Sequence, residues 1–131
     1  MEEEEVRAWF AEYLSAFAAL GRSESRPRDL IAYYGVPSLL TTDEVITWLR
    51  TTDDVEAWLQ GQADAMSAAG YDHTDTLVSE VAVLNRNTAV HRAQLSRERS
   101  DGTQINQMSV TYVLTCESER LRITALVVHS R

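Results

Sequence analysis

The apolar residues of this chain change period once, near residue 75, and that change limits the folds open to it. Before it they recur every three to four positions, as one face of a helix requires; after it they alternate, as one face of a strand requires. Helices first and strands after give an α+β fold, with helices on one face of an antiparallel sheet. The spacing predicts a helix over 3–20 with the stripe Val6, Phe10, Tyr13, Leu14 and Phe17. The glutamates at its start suit the positive end of the helix dipole, and Gly21 is a stop. Pro27 opens a short helix through Tyr33-Tyr34, followed by a short strand over Val36–Leu40. Thr42-Asp43-Glu44 reads as a cap for a short helix over Val45–Arg50, and Thr52-Asp53-Asp54 caps a longer one over 53–69. The longer stripe is Val55, Trp58, Leu59, Gln62, Met66 and Ala69, with Gln62 its polar exception. A loop over Tyr71–Thr74 leads to four strands, at 75–84, 88–99, 104–116 and 120–130. No repeat or composition break divides the 131 residues, so they are read as a single domain, 1–131.

The turns fix which strand faces look inward. A two-residue hairpin at Asp101-Gly102 sets Leu95 opposite Met108, Ala93 opposite Val110, His91 opposite Tyr112 and Ala89 opposite Leu114. Slipping that register by one residue would bury Arg92 and Gln94. A turn centred on Ser118-Glu119 sets Leu114 against Ile123, Tyr112 against Ala125, Val110 against Val127 and Met108 against His129. Both turns put the same residues of the middle strand inward, the agreement expected of a foldable sequence. For the first long hairpin, a two-residue turn at Asn85-Arg86 would set Glu80 beside His91. A three-residue turn, Asn85-Arg86-Asn87, points Glu80 outward and buries Leu77, Val81 and Val83 instead. The second buries no charge and is preferred.

Charge and cysteine narrow the function classes. Acids number 20 and bases 12, every base an arginine, for a net charge of −8. Affinity for nucleic acid comes mainly from cations that neutralise phosphate, so nucleic acid is an unfavourable partner. Residues 1–80 carry a net −11 and residues 81–131 a net +3, with the arginines of the second half read at strand ends, turns and the outer sheet face. The single cysteine, Cys116, excludes a disulfide framework and a cysteine zinc site. An acidic start and no apolar run of roughly 18 residues favour a cytoplasmic protein with no membrane partner.

Several segments carry a resemblance. Tyr33-Tyr34-Gly35-Val36-Pro37 and a helix ending Ala68-Ala69-Gly70-Tyr71-Asp72 are two of them. The others are Val83-Leu84-Asn85, Arg97 through Asp101-Gly102, Thr111–Thr115 and Ile123–His129. Together the chain resembles the nuclear-transport-factor-2-like superfamily, and within it the SnoaL-like group of small bacterial proteins. Leu121 stands where those proteins commonly carry tryptophan. The resemblance implies a curved antiparallel sheet wrapped around the N-terminal helices, a cystatin-like, cone-shaped α+β barrel with a pocket at its open end. It also implies dimerisation through the sheet. Relatives include ketosteroid isomerase, polyketide cyclases and non-catalytic subunits, so shape is implied more narrowly than activity.

The candidate catalytic residues are His91, an imidazole on the apolar face suited to acid–base work, and Tyr112, a phenol able to donate to an oxyanion. Each also has a packing role open to it, as a core histidine and an inward aromatic. Candidate binding residues are Tyr13, Phe17, Tyr34, Trp58 and Gln62, with His129 at an inward rim. No metal site and no cofactor motif is read. The outer face, with Val90, Val113, Leu126 and Val128 among Ser109, Thr111 and Thr124, is the expected homodimer surface. Two functions stay open. One is a pocket protein, of isomerase, cyclase or dehydratase type, acting on a small apolar molecule. The other is a non-catalytic homodimeric ligand-binding or dimerisation module.

Overall fold

The computed structural model describes residues 1–130. The chain runs through α1 (Glu3–Gly21), a 3-10 helix (Pro27–Tyr33), β1 (Tyr34–Thr41), β2 (Ile46–Leu49), α2 (Thr52–Ala69), β3 (Tyr71–Val83), β4 (Thr88–Arg99), β5 (Gln104–Glu117) and β6 (Arg120–Val128). The strands form one curved sheet in the order β2-β1-β6-β5-β4-β3, with the helices against its concave face. Every pairing is antiparallel except β1 with β6, which run parallel. The fold class is α+β, as the change of period predicts.

Helix α2 is held at both ends by local chemistry. Thr51 Oγ1 accepts from the Asp54 backbone N–H at 3.1 Å, and the Asp54 carboxylate accepts from the N–H groups of Arg50 and Thr51 at 2.9 and 3.2 Å. This reciprocal capping box satisfies donors that no helical carbonyl can reach. Gly70 closes the helix in the left-handed region, at φ 76°. Between the helices and the sheet, Val6, Phe10, Leu20, Leu30, Val55, Leu59, Leu114 and Ile123 form a buried core. A close approach at the end of α1 needs Gly21, where an added Cβ would lie 2.6 Å from the Tyr71 ring.

Two segments differ from the sequence expectation. Val45–Arg50 is not a helix; Ile46–Leu49 is the edge strand β2. The Thr42 cap does form, its Oγ1 accepting from the N–H groups of Glu44 and Val45, but it tightens a hairpin turn closed by Thr42 N–H to Val45 O at 3.0 Å. A threonine cap and a threonine turn use the same hydrogen bonds, and strand pairing with β1 decides between them here. The expected loop at Tyr71–Thr74 is the start of β3, because β4 is long enough to offer Arg97–Arg99 as ladder partners.

The first two hairpins take the expected registers. Leu95, Ala93, His91 and Ala89 pair with Met108, Val110, Tyr112 and Leu114. Two irregularities cancel to give this result. The turn holds three residues between Arg99 and Thr103, and an extra residue in β5, Ile105, restores the count. The β3–β4 turn is the three-residue one, and Glu80 lies opposite Arg92. Leu77 is a correction: it falls at a register shift between Thr76 and Val78 and is 49% exposed, as is Val83 at 39% near the strand end.

The third hairpin departs halfway along. Leu114 pairs with Ile123 as expected, but Thr124 is an extra residue, and Val113 then pairs with Ala125 and Tyr112 with Leu126. Because side chains alternate, one extra residue turns everything after it to the opposite face. Leu126 and Val128 therefore point inward rather than onto the outer face, and Ala125, Val127 and His129 point outward rather than inward.

Candidate functional site

A cavity of about 270 Å³ lies between the helices and the sheet. Both helices and all six strands contribute to its wall, through Tyr13, Leu40, Thr47, Trp58, Thr74, Leu95, Met108 and Leu126 among others. Periodicity explains why. Tyr13 and Phe17 stand one turn apart on the α1 stripe, Trp58 and Gln62 one turn apart on α2, and Leu95 and Arg97 two apart on β4. Most of the lining is apolar, but it includes the Gln62 amide, the Arg97 guanidinium and the Tyr13 and Tyr112 phenols.

The phenols stay protonated at neutral pH. Burial raises the pKa of Tyr13 and Tyr112 well above the usual phenol value, while the charge of Arg97 works against that rise in both. The Tyr13 and Tyr34 hydroxyls share a hydrogen bond of 2.5 Å. Tyr34 itself stands behind the wall, edge-on to Trp58 at 5.7 Å. The hydroxyl of Tyr112, the amide of Gln62 and the guanidinium of Arg97 have no hydrogen bond to any described residue. Arg97 lies over the Phe17 ring at 5.8 Å and makes no ion pair with a described residue.

His91 is fully buried, beside Tyr112 in the ladder, but it does not line the cavity. The Phe10 ring packs edge-on against it, with centroids 3.9 Å apart. Its Nε2 lies 2.7 Å from Ser79 Oγ, which accepts from Arg7 Nη1 at 3.0 Å. The other ring nitrogen, Nδ1, has no partner among the described residues. Burial first, and the nearby Arg7 charge second, lower the pKa of His91 to about 4. His129 lies on the outer face, its Nε2 2.6 Å from Thr111 Oγ1, because of the extra residue in β6.

A family described as NTF2-like protein (DUF6841) matches residues 3–131. The chain belongs to this NTF2-like family. No curated protein matches it. Among solved structures, Aln2 from a Streptomyces species superposes with a TM-score of 0.71 at 15% identity, covering 98% of this chain and 92% of that one. An NTF2-like protein of unknown function from Shewanella oneidensis gives 0.67 at 14% identity, covering 92% and 96%. An NTF2-like protein with a cystatin-like fold from Novosphingobium aromaticivorans gives 0.70 at 16% identity, covering 95% and 79%. At such identities these neighbours speak to the fold alone.

Of the residues singled out in the sequence, this NTF2-like chain brings Tyr13, Phe17, Trp58, Gln62 and Tyr112 to one cavity, with Tyr34 bonded behind them. His91 and His129 lie elsewhere. Arg97 is the cavity residue that the sequence reading misses. It continues the inward series Ala89, His91, Ala93 and Leu95, so strand parity alone places it inside. Reading the arginines as outer-face and turn residues hides it. Leu126 and Val128 carry no such signal, since every residue from Ala125 to Val128 is apolar.

Proposed function

We propose that this NTF2-like chain is a small-molecule binding protein whose ligand occupies the cavity between the helices and the sheet. The observation that carries the reading is the cavity itself: a space of about 270 Å³, apolar over most of its wall, with donor groups, Tyr112, Gln62 and Arg97 among them, that have no partner among the described residues. Ligand sites commonly combine an apolar lining with a few convergent polar groups. The lining offers donors, at Tyr112, Gln62 and Arg97, and no carboxylate or imidazole among the described residues. Its chemistry is therefore recognition and polarisation of an acceptor oxygen. In an isomerase- or dehydratase-type role, Tyr112 would be the electrophile.

Calorimetric titration with 2-naphthol, a neutral probe sized to the cavity, tests the reading. Saturable one-to-one binding is expected, with at least a tenfold loss in Leu126→Trp, which fills the space; near-UV circular dichroism checks that the variant is folded. Absence of saturable binding, or equal affinity in the folded variant, overturns it.

A second reading, homodimerisation through the outer sheet face, has its own support. Trp48, Leu39, Ala125, Val113, Val90 and Ala82 are successive ladder partners, so one apolar row crosses all six strands. Val127 and Ile46 border it, at 36% and 75% exposure. A row of this kind suits packing against the same face of a second copy.

A further inference from the structure

We propose that the ligand of this cavity is a small monocarboxylate with an apolar body, its carboxylate seated on Arg97. The inference rests on the binding function proposed above and names the chemical class of the ligand.

Several arginines, Arg86, Arg92 and Arg122 among them, have no side-chain partner among the described residues, and Arg97 differs from them in lining the cavity. Arg7 pairs with Glu3 at 3.0 Å, Arg22 with Glu24 at 3.0 Å, and Arg99 donates to the Ala69 carbonyl at 2.8 Å. Arg97 faces an apolar cavity with an aromatic ring beneath it and no acceptor from any described residue. A guanidinium partly withdrawn from water and left unpaired is costly, and the ring offsets only part of that cost. A carboxylate would meet the need in full, because its two oxygens match the planar fork of the guanidinium.

The surroundings select for the same group. No acidic residue lines the cavity among the described residues, so nothing there repels an anion, although the chain as a whole carries −8. The protonated Tyr112 hydroxyl and the Gln62 amide are neutral donors free for oxygen lone pairs. The rest of the wall, including Phe17 and Trp58, is fitted to hydrocarbon. Size limits the body: about 270 Å³ lies near the small end of the roughly 300–1,000 Å³ range of ligand pockets, which suits one ring with a short chain.

Three probes of one shape and different charge make the test: cinnamate, cinnamyl alcohol and cinnamylammonium, titrated calorimetrically into the full chain at pH 7. Cinnamate is expected to bind at least about tenfold tighter than the alcohol, the scale of a charge-assisted hydrogen bond, and the ammonium more weakly than either. Arg97→Gln should bring cinnamate down to the affinity that the same variant shows for the alcohol. Arg97→Lys, which keeps the charge and loses the fork, should retain part of the preference. Equal binding of acid and alcohol by the natural chain overturns the carboxylate assignment without needing any variant, as does a preference that persists in Arg97→Gln. If alcohol and acid bind equally and Leu126→Trp abolishes both, the cavity function stands and the carboxylate falls. If no probe binds at millimolar concentration, both fall.

Discussion

Burying an imidazole with one nitrogen unpartnered couples His91 to the stability of the whole chain. Unfolded, it titrates near 6.5; in the fold its pKa is about 4. Between those values the unfolded chain binds more protons, so stability rises with pH across the window and is lost as pH falls from about 6.5 towards 4. The full span is worth about 3 kcal/mol. Urea denaturation between pH 7 and 4.5 should therefore show a steeper loss in the natural chain than in His91→Gln, and coincident slopes would refute the assignment. The same burial decides what His91 can do, since at neutral pH it is a weak base packed against Phe10 and outside the cavity lining. From the sequence its inward facing is legible, because strand parity is local. Its place outside the cavity lining is not, because the extent of the cavity depends on side chains from several other elements.

Caps and turns carry more information than propensity at the level of elements. The box at Thr51 and Asp54 starts α2 one residue ahead of the Thr52 cap expected from the sequence, and Thr51→Ala should cost about 1 kcal/mol in thermal or chemical denaturation. A loss within error would show that sheet packing, not the cap, sets that helix start. The residues Thr42-Asp43-Glu44 carry a similar signal and serve a hairpin instead, so a cap marks where a chain bends without specifying the element beyond the bend. Registers are legible wherever a one-residue error would bury a charged or amide side chain: Arg92 and Gln94 pin β4 on β5, and Glu80 pins β3 on β4. Register fails in β6, where Ala125–Val128 is apolar throughout and no misfit penalises either facing.

Across the whole molecule the acidic first 80 residues hold both long helices with β1, β2 and most of β3, and the more basic remainder holds β4, β5 and β6. The cavity lies between the helices and the sheet that the two parts build together. The outer row from Trp48 to Ala82 predicts that the chain self-associates. Light scattering at micromolar concentration should give about twice the 14.8 kDa chain mass, and Val113→Arg, in the middle of the row, should return the monomer. A monomer mass for the natural chain would remove the dimer. The single supernumerary residue at Thr124 has a reach beyond its own strand. It sends Leu126 and Val128 to the cavity side while leaving Ala125 and Val127 for the outer side. Were Thr124 paired into the ladder instead, the two sets would exchange faces, so the cavity lining and the outer apolar row are set together by one kink.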